Sequence, residues 1–133
     1  MYKGSCLCGQ VQFEITGEIS DIVFCHCSLC RKAQGSAFAT NGNVNSREFN
    51  FIQGANNLTQ YESQSGHSKY FCKTCGSPVM SLNDKMTDVI RIRLGSIEND
   101  ITERPDCHIF TDSKANWENI SDDLPQYKEY KTS

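Results

Sequence analysis

Gly4-Ser5-Cys6-Leu7-Cys8-Gly9-Gln10-Val11-Gln12-Phe13-Glu14-Ile15 sets a cysteine pair directly ahead of a segment in which apolar and polar residues alternate. Alternation with period two marks a half-buried β-strand. A thiol pair followed by glycine marks a tight turn whose amides point at sulfur, with glycine taking the positive φ such a turn needs. The same arrangement returns at Cys72-Lys73-Thr74-Cys75-Gly76, just ahead of the short run Pro78 to Leu82. A third cluster, Cys25-His26-Cys27-Ser28-Leu29-Cys30, brings the total to seven of the chain's eight cysteines.

Cysteines one or two residues apart point to metal. A disulfide inside Cys6-Leu7-Cys8 would close a strained ring, whereas such thiolates converge readily on a tetrahedral zinc at about 2.3 Å each. Pairing Cys6 and Cys8 with Cys72 and Cys75 would join the start of the chain to its middle through four thiolates, a closed and structural site. Cys25, Cys27 and Cys30 would then hold a second ion from one side only. Its fourth position is open among His26, Cys107, His108, a water or a substrate thiol, and an exchangeable ion that receives a substrate thiolate is the preferred reading. Coordination strips the proton from a thiol whose ordinary pKa lies near 8.5 and delivers a nucleophile at a fixed place. Arg31 and Lys32 stand beside the cluster as charges that would offset three thiolates or meet a substrate carboxylate.

Outward from these clusters the chain reads as short strands. Glu48 to Ile52 and Asp88 to Leu94 alternate cleanly, as Gln10 to Ile15 does; Ile22 to Cys25, Ser36 to Thr40, Leu58 to Glu62, Ser68 to Cys72 and His108 to Thr111 are shorter. Gly42-Asn43 and Gly54-Ala55-Asn56-Asn57 read as turns between them. The one helical candidate, Ser28 to Gln34, sits on the third cysteine cluster. A single, mainly antiparallel β domain spanning residues 1–133 is expected.

Composition narrows the function. No apolar run approaches the roughly 18 residues of a membrane span, and Met1 to Cys6 lacks the apolar stretch of a secretory signal, so a cytoplasmic protein without membrane attachment is expected. Seven thiolates and two divalent ions would take the formal charge from -3 to about -6. With lysine and arginine scattered, that balance argues against nucleic acid as a partner.

Taken in order, GSCLCGQVQFEI (4–15), FCHCSLCRKAQGSAF (24–38), YFCKTCGSPV (70–79), Pro105-Asp106-Cys107-His108-Ile109 and Lys114-Ala115-Asn116-Trp117 resemble the glutathione-dependent formaldehyde-activating enzyme family, which includes centromere protein V. The resemblance implies a β-tent fold of short antiparallel strands shared with zinc-bearing methionine sulfoxide reductases. It implies a structural zinc on Cys6, Cys8, Cys72 and Cys75 and a catalytic zinc on Cys25, Cys27 and Cys30. It further implies carbon-sulfur lyase chemistry, in which a small thiol such as glutathione and an aldehyde such as formaldehyde combine to, or part from, a hemithioacetal. His108 is a candidate proton donor for that step, and Phe38 and Trp117 are candidate walls of the pocket. Two other functions compete: a non-enzymatic zinc-stabilised module that binds a protein partner, and a methionine sulfoxide reductase that uses Cys107 as a metal-free thiol. Oligomeric state leaves no mark in the sequence.

Overall fold

The computed structural model describes residues 1–132. Strands β1 (Tyr2–Ser5), β2 (Gln12–Ile15) and β5 (Phe49–Gln53) form a three-stranded antiparallel sheet in the order β1-β2-β5. The larger sheet contains β3 (Ser20–Cys25), β4 (Ala39–Asn45), β6 (Leu58–Gln64), β7 (His67–Cys72), β8 (Pro78–Asn83), β9 (Val89–Arg93) and β10 (Cys107–Ile109). Their order is β10-β3-β4-β9-β8-β7-β6. All neighbours in it are antiparallel except β10, which lies parallel to β3. The mainly β architecture is the one expected, and no helix of the described residues is long and apolar enough to cross a membrane.

The main core lies between the sheets. Val11, Phe13, Ile15 and Phe49 from the small-sheet side meet Val44, Met80, Ile90 and Ile92 from the large sheet. Alternation sends the intervening residues to the opposite face. Register then sets Cys25 beside Ala39, Asn41 beside Arg93, Asn43 beside Arg91, Arg91 beside Ser81, and Ser81 beside Lys69. The large sheet is thus apolar towards the core and polar on its far face.

Helix α1 (Ser28–Gln34) has the predicted bounds. Cys27 is its N-cap, with Sγ accepting the Cys30 amide at 3.3 Å, and Gly35, at φ 65°, ends it. The expected turn at Gly42-Asn43 is absent; both residues lie inside β4, and Ser36 to Phe38 precede the strand. Turn residues are overridden here because β4 pairs on both edges, with β3 and β9. A Cβ at Gly42 would collide with the Ile19 side chain, so glycine there reflects close packing. Strand β1 is not among the strands expected from the sequence, because four residues are too few for alternation to register.

Candidate metal centres and the adjoining cleft

The sulfurs of Cys6, Cys8, Cys72 and Cys75 all lie within 4.8 Å of one another. Cys6 Sγ is 3.6 Å from Cys8 Sγ, and Cys8 Sγ is 3.8 Å from Cys72 Sγ. Four sulfurs bonded at about 2.3 Å to a tetrahedral ion are about 3.8 Å apart, and these two separations match that spacing. Two matching turns build it: Gly9 and Gly76 have φ of 82° and 78°. The Gly9 amide donates to Cys6 O at 3.1 Å, and the Gly76 amide to Cys72 O at 2.8 Å. Donors already face the sulfurs: the Val11 amide reaches Cys6 Sγ at 3.3 Å, and Asn57 Nδ2 reaches Cys72 Sγ at 3.2 Å. The Ser77 hydroxyl beside Cys75 holds that thiol down to about 5.

Cys25 ends β3, Cys27 caps α1 and Cys30 lies in its first turn, so a strand end and a helix start bring three sulfurs together. They too lie within 4.8 Å of one another. Hydrogen bonds from Cys25 and then Cys30 lower Cys27 to about 2, and the same sharing raises Cys25. Three sulfurs this close make a donor set suited to a soft divalent ion. Among the described residues no fourth Cys, His, Asp or Glu atom joins the three.

None of the three side chains considered for that fourth place joins the trio. Cys107 is buried on β10 and stays out of the group, and burial raises its thiol. His26 and His108 turn to the reverse face, where His26 Nε2 lies 2.8 Å from His108 Nδ1. His108 Nε2 lies 2.9 and 3.1 Å from the two Asp122 carboxylate oxygens. Burial, then the neighbouring His108, lowers His26 to about 4, so it is neutral at pH 7.

One side of the trio opens on a cleft of about 660 Å³. Its floor is the polar face of the large sheet, with Asn41, Asn43, Arg91, Ser81 and Lys69, and Phe110 and Tyr130 also line it. Among the described residues no Asp or Glu lines it, although the chain as a whole is net negative. Asn41 Oδ1, Asn43 Oδ1 and Arg91 Nε are buried without a protein hydrogen-bond partner. Arg93 is also buried, with Nη1 donating to Ser81 Oγ at 3.2 Å.

Several expected contributors lie elsewhere. Phe38 packs behind the cleft against Phe24 and His26, Trp117 is exposed, and His108 does not line the cleft. Arg31 Nε donates to His26 O at 3.4 Å and is also outside the lining. The cations that do flank the cleft come from β7 and β9. Arg91 and Arg93 stand out in the sequence only as polar positions of an alternating strand, a pattern that reads as a solvated face.

A family model described as glutathione-dependent formaldehyde-activating enzyme matches residues 1–113. A Halomonas elongata protein bearing the name "Putative glutathione-dependent formaldehyde-activating enzyme" is 25% identical over 128 residues, covering 90% of this chain and 81% of its own length. An uncharacterized lyase of Schizosaccharomyces pombe is 28% identical over 124 residues, covering 86% of this chain and 88% of its own. A crystal structure of a Rhodobacter sphaeroides protein superposes with a TM-score of 0.63 at 26% identity, covering 77% of this chain and 97% of that one.

Proposed function

The chain belongs to the glutathione-dependent formaldehyde-activating enzyme family, and from that premise we propose that it is a zinc-dependent carbon-sulfur lyase that forms or cleaves the hemithioacetal of a small thiol and an aldehyde. The observation that carries this reading is the three-sulfur set open on a cleft, beside a four-sulfur set that closes on itself. Cys6, Cys8, Cys72 and Cys75 hold a structural ion; Cys25, Cys27 and Cys30 hold the catalytic one. When bound at the trio, zinc supplies a Lewis-acidic anchor that keeps a substrate sulfur deprotonated.

The residues of the chain do the rest. Sulfur adds to the aldehyde carbon, the carbonyl π bond opens onto oxygen, and the proton released by the thiol ends on that oxygen; cleavage reverses each change. The cleft, within the roughly 300–1,000 Å³ of small-molecule sites, holds the body of the thiol against the sheet. Arg91 and Lys69 receive a carboxylate, for which the lining offers no competing acid. Arg93, buried near the trio, balances its negative charge.

The test is aldehyde consumption by the purified protein, across a panel that includes formaldehyde, with glutathione present or absent and with zinc added or removed. Loss of aldehyde that requires both thiol and zinc is expected. Consumption indifferent to the thiol, or none with any aldehyde in the zinc-loaded protein, would count against the lyase and favour a binding module.

A further inference from the structure

A buried polar chain stands behind the cysteine trio and takes no part in the proposed chemistry. His26, fully buried, separates the two ligand candidates Cys25 and Cys27, so its backbone carries both. Its amide donates to Ile109 O at 3.0 Å, and its carbonyl accepts from Arg31 Nε at 3.4 Å. Its imidazole meets His108 at 2.8 Å, and His108 meets Asp122 at 2.9 Å.

The carboxylate at the end gives this chain a direction. Asp122 can only accept, so His108 donates from Nε2 and presents the Nδ1 lone pair; His26 then donates to it from Nε2. Asp122 belongs to the C-terminal segment, beyond the residues 1–113 matched by the family model. That segment is zipped onto β10: the His108 amide donates to Pro125 O and the Tyr127 amide to His108 O, each at 2.9 Å. Without an acceptor at position 122, the buried His108 Nε2–H loses its partner and nothing fixes which nitrogen faces His26.

We propose that Asp122, acting through His108 and His26, is a positioning residue that fixes the aim of Cys25 and Cys27 and thereby sets how tightly the trio holds its ion. The inference rests on the reading of the trio as an ion site. The four-sulfur site, whose Cys6 and Cys72 belong to the main core while Cys25 and Cys30 belong to a separate cluster, serves as an internal control.

Full-length wild type, Asp122→Ala and Asp122→Asn are loaded with zinc and titrated with a chromophoric chelator, which reads the two ions as separate steps. Cobalt(II) loading reports sulfur geometry through its absorption bands. In Asp122→Ala the weaker step is expected to lose affinity about ten- to a hundred-fold, the range seen when outer partners of metal ligands are removed, with shifted cobalt bands. The tighter step stays as in wild type, and the melting temperature falls by no more than the loss of one buried hydrogen bond accounts for. Asp122→Asn, which keeps an acceptor oxygen, recovers most of the loss. An unchanged weaker step in Asp122→Ala overturns the proposal, as does parallel weakening of both steps, which would mark a general loss of structure. A wild-type protein that takes up only one ion overturns the ion-site reading itself, a result distinct from either.

Discussion

Arg93 is only 4% exposed, and no carboxylate lies within 4.0 Å of it among the described residues. A buried cation without a counter-charge is costly. Burial lowers its pKa and the neighbouring Arg91 adds to that, while the sulfurs of Cys30, Cys25 and Cys27 act in the opposite direction. Arg91, two residues earlier, points along the same face and lines the cleft with Nε unpartnered. Replacing Arg91 with Gln is expected to raise KM for glutathione about tenfold while changing KM for the uncharged thiol 2-mercaptoethanol little, in line with the loss of one charge-assisted hydrogen bond. Initial rates at saturating formaldehyde measure both, and equal effects on the two thiols would remove Arg91 from substrate recognition. At the trio, Cys27→Ser should lower bound zinc from about two ions per chain towards one while the circular dichroism spectrum holds. Global unfolding of that variant would contradict a catalytic assignment for the trio.

At the level of the element, β4 decides where the cleft floor lies. Its odd residues Asn41 and Asn43 face the cleft, while Val44 joins the main core. Gly42 sits between them, and a methyl there would press on Ile19 and on Leu94 Cδ1, the latter at 3.0 Å. Gly42→Ala is expected to destabilise the protein by about 1–3 kcal/mol, the usual cost of overpacking. A lowered urea midpoint at unchanged slope would record it. Helix α1 makes the complementary point: with seven residues it is too short to persist alone, and Cys27 at its cap ties its start to the trio.

At the scale of the whole molecule, Cys8 and Cys72 are 64 positions apart in the chain and 3.8 Å apart at sulfur. An ion there closes a long loop, and its binding free energy becomes folding free energy. Cys72→Ser should therefore unfold the domain, as should chelation of both ions, whereas Cys27→Ser should not. Acid provides a separate probe. An unfolded chain protonates His26 near pH 6.5, while the folded chain does so only near 4, so stability should fall as pH drops from about 6.5 towards 4. In a proton NMR titration of the chain's three histidines, His26 should stay neutral through pH 5.5; protonation near 6.5 would mean that its site is open to water. The sequence by itself determined the three sulfur clusters, the helix on the third of them and most of the strands, because ligand spacing and period-two alternation are local properties of the chain. Only the tertiary structure decided that Arg91, Arg93 and Lys69 share one face with the trio, and that His108 turns from the cleft towards His26 and Asp122. Strand register and the parallel docking of β10 on β3 set those neighbours across dozens of residues, and no local pattern encodes a contact between strands that far apart.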